Sequence, residues 1–163
     1  MSTTAIEPEL RPPQRRTDAA AFPDSAPHIH ALVQVLAQLV NDNGAQAGVV
    51  FGRDGLYLAR AGMDQVRAER TAAALSSLRQ LASGIARQQR RGTVETVLVR
   101  YQHGAVVVTP ITDGAAAALV VGEAVSVQEA ARALSLFAEA AEGLLPPPQS
   151  PFVSRTAETG ARV

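Results

Sequence analysis

Few residues in this 163-residue chain have the types and spacing that chemistry needs. His28 and His30 stand two apart, a spacing that grips a metal from one face of a strand. The surrounding pattern is the start of a helix with no third ligand nearby, so capping or solvent contact accounts for them better. Asp54 and Asp113 each precede a glycine, and turn formation explains both without general acid–base work. His103, before Gly104, also reads as a turn residue. Arg79 and Arg87, eight residues apart, and the pair Arg90 and Arg91 place planar guanidinium groups along one segment, where they could meet a carboxylate or phosphate. A solvated helix face with favourable cations at its C-terminal end is the plainer account of each, so these four arginines are contact candidates and not catalysts.

Composition removes most catalytic classes. The chain has no cysteine, and all 15 of its basic residues are arginine. That excludes disulfides, thiolate zinc sites, thiol nucleophiles, iron–sulfur clusters, Schiff-base lysines and the lysine of a Walker loop. Nucleophile elbows, dinucleotide fingerprints and zinc spacings are missing as well. No catalytic residue, cofactor or metal is expected, and a binding module leads over an enzyme acting alone. Fifteen acidic residues balance the basic ones, so bulk charge does not point to nucleic acid. Aromatic residues make up only 4% of the chain and tryptophan is absent, which argues against stacking platforms for bases or sugars. No stretch has the form of a signal peptide or approaches the roughly 18 apolar residues of a membrane span. A cytoplasmic protein without membrane insertion is the expectation.

The elements that must position these residues lie between 27 and 146. Residues 1–26 hold four prolines and the cluster Arg11, Arg15 and Arg16 without apolar periodicity, and residues 147–163 are proline-rich and then polar. Both are expected to be disordered arms, outside a single domain at 27–146. Within it, Ile29, Leu32, Val33, Leu36, Leu39 and Val40 recur at helical spacing before Asn43-Gly44. The runs 46–51 and 56–61 flank Gly52-Arg53-Asp54-Gly55, a hairpin signal because Asp and Gly both tolerate positive φ. A long helix from Asp64 to about Arg90 is predicted to bury Thr71, Leu75, Leu78, Ala82 and Ile85. The runs 93–101, 105–111 and 115–121 then read as a three-strand meander, with Pro110 marking a bulge or a strand end. Ser126 and Glu129 form a capping box that opens a last helix through Val127, Ala130, Leu134, Phe137, Ala141 and Leu144.

The order is therefore α-β-β-α-β-β-β-α. Strands one, four and five are almost continuously apolar, so they belong in the middle of a sheet covered on both faces, with strands two and three at its edges. The fold class is α/β (α+β): a three-layer sandwich, with a five-stranded, mostly antiparallel sheet, one long helix on one face and two helices on the other. An uncovered edge strand such as Thr93–Tyr101 would template aggregation unless another strand pairs with it, and self-pairing is one remedy. Along the long helix, Ala73, Ser77 and Gly84 make a second stripe with almost no side-chain bulk, although the chain's abundance of alanine could supply part of it. Gly84 costs helix stability for no local reason, which favours close contact with a second helix. The expected dimer interface is Ala73, Ser77, Gly84, Thr93, Glu95, Val97, Val99 and Tyr101.

The order of elements, the segment Gly48-Val49-Val50-Phe51-Gly52-Arg53-Asp54-Gly55-Leu56-Tyr57-Leu58, the Ala-rich helix after it, and Gly104-Ala105-Val106-Val107-Val108-Thr109-Pro110-Ile111-Thr112-Asp113-Gly114 resemble the Roadblock / dynein light-chain family, above all its bacterial members. The similarity covers about residues 28–145. It implies a homodimer in which the third strands pair edge to edge and the long helices lie together. It also implies a regulatory partner of a small Ras-like GTPase, some such proteins stimulating hydrolysis. In actinobacteria, similar proteins are encoded beside such a GTPase and a histidine-kinase-like protein, so both are implied partners. An activating role needs no donated residue, since a partner that holds the GTPase's own switch loops suffices. On that reading Arg79, Arg87, Arg90 and Arg91 are the GTPase-contact candidates. The alternatives are a sensory domain that binds a small molecule against its sheet and a purely structural dimeric scaffold. The sheet offers few polar groups to a ligand beyond Thr109 and Thr112.

Overall fold

The computed structural model describes residues 26–146, so the two expected arms lie outside the described residues except for Ala26, which already belongs to the first helix. Its elements are α1 (Ala26–Asp42), β1 (Ala47–Gly52), β2 (Tyr57–Ala61), α2 (Gln65–Gln89), β3 (Val97–Tyr101), β4 (Gly104–Pro110), β5 (Ala115–Val121) and α3 (Val127–Ala141), followed by a short 3-10 turn at Glu142–Leu144. The strands form one sheet in the order β2-β1-β5-β4-β3, and all four pairings are antiparallel. The apolar strands β1, β5 and β4 occupy the centre, because only a strand with cover on both faces can bury side chains of both alternating sets.

That alternation divides the core in two. Val50, Val107, Leu119 and Val121 point to the face covered by α1 and α3, where they meet Leu32, Leu36, Leu134 and Phe137. Val49, Phe51, Val108 and Ala118 point the other way, onto α2 and its Ala68, Ala72 and Leu75. Each fully buried Val, Leu or Phe contributes roughly 1.5–3 kcal/mol by leaving water. Small residues set how closely the layers approach: a Cβ on Gly48 would lie 3.0 Å from side-chain atoms of both Leu36 and Val40, so α1 packs directly on that backbone.

The helix ends follow the sequence signals. The Asp64 side chain caps α2 by accepting from the Arg67 N–H at 2.8 Å. Ser126 caps α3 by accepting from Glu129. Gly104, at φ +146°, is required where β3 turns into β4, since a Cβ there would sit 2.3 Å from the Val121 carbonyl oxygen.

Several expectations are corrected. The third strand begins at Val97 and not at Thr93, and 93–96 is irregular. Its ladder with β4 starts at the pair Val97–Val108; one step beyond comes Thr109 and then Pro110, which has no N–H to continue it. Pro110 is indeed a strand end, whereas the register shift lies between Val50 and Phe51 in the β1–β2 pair. Neither Asp54 nor Asp113 takes positive φ; Gly55 alone does so in the first turn, at +83°. Asp54 instead accepts from the Leu56 N–H through its side chain, and Thr112 Oγ1 accepts from Gly114 in the second turn. On α2 the buried residues are Ala68, Ala72, Leu75 and Ser76; Thr71, Leu78 and Ala82 are half-buried, and Ile85 is exposed. Periodicity located a face along the whole helix, but the sheet beneath it covers only the first half.

Candidate functional site

From its middle onward, α2 separates two surfaces. One flank carries Ser76, Arg79, Gln80, Ser83 and Arg87, and it faces the end of the sheet where the β1–β2 and β4–β5 turns meet. These turns are joined by the Arg53 N–H donating to the Gly114 carbonyl at 2.8 Å. From the helix, Ser76 Oγ donates to the Arg53 carbonyl at 2.8 Å, and Arg79 Nη2 donates to the carbonyls of Thr112 and Asp113 at 3.0 and 3.1 Å. The helix is thus tied to both turns by side chains that reach more than twenty residues along the chain. Between α2, residues 92–94 and residues 110–113 lies a groove of about 540 Å³.

Arg79 is half-buried at the groove wall, and its guanidinium is held below the ordinary arginine range. Burial is the main cause and the neighbouring charge of Arg53 adds to it, while Asp113 acts in the opposite direction. Of the four arginines singled out by sequence, Arg79 is therefore engaged with the protein's own backbone. Arg87 lines the groove and is exposed; Arg90, the left-handed C-cap of α2 at φ 53°, and Arg91 are exposed beyond it. Thr93 joins the groove lining, away from the strand to which it was expected to belong.

The opposite flank of α2 is apolar and open. Leu81 and Ile85, one helical turn apart, are 68% and 61% exposed. Val97, Val99 and Tyr101 alternate onto the α2 side of β3; Val97, like Leu78, packs against the core on that side, but Val99 and Tyr101 remain 36% and 47% exposed. Ala73 and Ser77 are exposed on the adjoining stripe, and a Cβ on Gly84 would meet nothing within 4 Å. Nothing inside the protomer therefore demands a glycine there. Glu95 is exposed in the irregular segment before β3.

Sequence reasoning missed Leu81 and Ile85 as surface residues and Arg53 as a groove residue. Leu81 falls outside the buried periodic set, which was a usable signal; Arg53 sits in a turn remote in sequence from α2 and gave none. His30 bonds to Gln34, and His28 is exposed. His103 pairs with Glu123 across the β3–β4 and β5–α3 connections, so it does more than occupy a turn. No cluster of three metal-ligating side chains occurs among the described residues.

The Roadblock/LC7 domain model matches residues 32–122, more than half of the chain. This chain belongs to the Roadblock/LC7 domain family. The match takes in the sheet, α2 and most of α1; α3 lies beyond it, although Leu134 and Phe137 complete the core. No curated protein sequence matches the chain. Solved structures share its fold at low identity. The Roadblock/LC7 domain from Streptomyces avermitilis is 20% identical at a TM-score of 0.65, covering 68% of this chain and 94% of that one. Myxococcus xanthus MglB is 10% identical at a TM-score of 0.66, covering 70% and 94%. An MglB described in a tetrameric arrangement is 17% identical at a TM-score of 0.64, covering 72% and 89%.

Proposed function

We propose that this Roadblock/LC7 protein is a homodimeric regulatory adaptor that binds a small Ras-like GTPase and modulates its nucleotide state. The observation that carries the self-association is the open apolar surface of Leu81, Ile85, Val99 and Tyr101, which flanks an uncovered sheet edge. Leaving such a surface in water is unfavourable, and an exposed edge strand presents unpaired N–H and carbonyl groups. A second copy placed edge to edge covers both features at once and brings the Ala73, Ser77 and Gly84 stripes of the two long helices within reach of each other. The fold likeness to an MglB described as tetrameric supports self-association in the same direction.

Family membership supports the GTPase partner. Arg87, Arg90 and Arg91 are its contact candidates on this chain, since they are exposed, whereas Arg79 is half-buried and held by the β4–β5 turn. The protein holds its partner's switch loops and donates no catalytic group. Light scattering at micromolar concentration tests the dimer; a mass of one chain removes it. Single-turnover GTP hydrolysis by the cognate GTPase, with and without this protein, separates an activator from a platform. Replacing Arg87, Arg90 and Arg91 together with Ala is expected to weaken the complex, and unchanged affinity removes that surface.

A further inference from the structure

The groove at the turn end of α2 is a second surface, on the opposite flank of the helix from the proposed dimer contact. We propose that it binds a small, multiply charged oxyanion. Three arginines, Arg53, Arg79 and Arg87, line it against one acidic residue, Asp113, among the described residues. Hydroxyl and amide side chains of Ser83, Thr93 and Gln80 add further donors, Ala86, Val94, Pro110 and Ile111 supply an apolar part of the wall, and no aromatic ring lines it. That lining has the donors for phosphate or carboxylate oxygens and lacks the stacking surface that a base or sugar ring would need.

The arrangement of Arg79 supports this reading. Its two bonds to the carbonyls of Thr112 and Asp113 fix the side chain and use only part of its five-donor fork. Both bonds are made by Nη2, and Arg79 lines the groove, so the other nitrogens of its fork are left for a ligand. A fixed, partly desolvated cation beside a second cation is an unfavourable arrangement that an anion relieves, more strongly here than on an open surface. The C-terminal carbonyls of α2 border the same space and would oppose an anion, but Arg90 and Arg91 donate their N–H groups to Arg87 and Ala86 and quench part of that field.

Calorimetric titration of the full chain at about 150 mM salt tests the proposal, with pyrophosphate and citrate as separate probes to distinguish phosphate from carboxylate preference. Saturable binding of one probe molecule per chain is expected for at least one of them. Changing Arg53 and Arg87 together to Gln, both exposed and neither engaged through its side chain in the bonds that tie the turns, should weaken it at least about tenfold. Asp113→Asn should tighten it, because the opposing carboxylate is removed while the carbonyl that anchors Arg79 stays; a merely structural role would not give opposite signs. The proposal is overturned if neither probe saturates by about 10 mM, or if the double arginine variant, with unchanged thermal unfolding, binds as the parent does. No GTPase enters the measurement, so its failure leaves the regulatory reading untouched.

Discussion

The two rims of the sheet hold equivalent positions and meet different surroundings. On β2, Ala59 is buried and Tyr57, Leu58 and Ala61 are half-buried, because α1 crosses the strand on one face and the start of α2 on the other. On β3 every residue after Val97 is exposed, including Leu98, Val99 and Tyr101. The same contrast runs along α2, which buries Ala68, Ala72, Leu75 and Ser76 and then presents Leu81 and Ile85 to solvent. An edge strand is closed or open according to which helices pass over it, and not according to its own hydrophobicity. β3 is more apolar than β2 and is nevertheless the exposed one.

This contrast can be broken experimentally. On the covered side, Leu36→Ala removes a fully buried side chain beneath α1 and is expected to lower the unfolding free energy by about 2–5 kcal/mol in a denaturant titration. On the open side, changing Leu81 and Ile85 together to Glu should leave protomer stability nearly unchanged and raise the dimer dissociation constant at least about tenfold, a cost of about 1.4 kcal/mol, read by light scattering over a dilution series. An unaltered mass profile would mean that this flank lies outside the contact.

Smaller effects sharpen the picture of what α2 holds. Ser76→Ala removes the bond to the Arg53 carbonyl and should cost about 1 kcal/mol of stability. Thr109→Val acts in the opposite direction: the Thr109 hydroxyl oxygen is buried in β4 without a hydrogen-bond partner, so an apolar group of similar shape should stabilise the protein by up to about 1 kcal/mol. Leu136→Ser, on the solvent side of α3, should change stability by less than about 0.5 kcal/mol by the same denaturant measurement, despite leucine's apolar character.

Much of the architecture was legible. Apolar content separated the central strands from the rims, and the caps at Asp64 and Ser126 stand where their side-chain chemistry placed them. The candidate sites were legible only in part. Arg87, Arg90 and Arg91 are exposed, and Val99 and Tyr101 are on an open edge, which leaves each accessible to a partner. Arg79 leaves the solvated face that its position suggested because its acceptors, the carbonyls of Thr112 and Asp113, lie in a turn that only the folded sheet brings beneath the helix. Ile85 was misjudged because helical spacing shows which residues share a stripe and not how far along the helix that stripe remains covered.

By itself the sequence determined the local structure: where helices start, where hairpins turn and which strands need cover on both faces. Those are consequences of side-chain shape, capping chemistry and apolar period, all of which act over a few residues. Tertiary structure alone decided that two turns about sixty residues apart meet under one helix, that an arginine of that helix is drawn out of solvent onto one of them, and that one rim of the sheet stays open. Such outcomes depend on which surfaces the layers happen to cover when they pack, and burial of that kind is a property of the assembled chain and not of any segment within it.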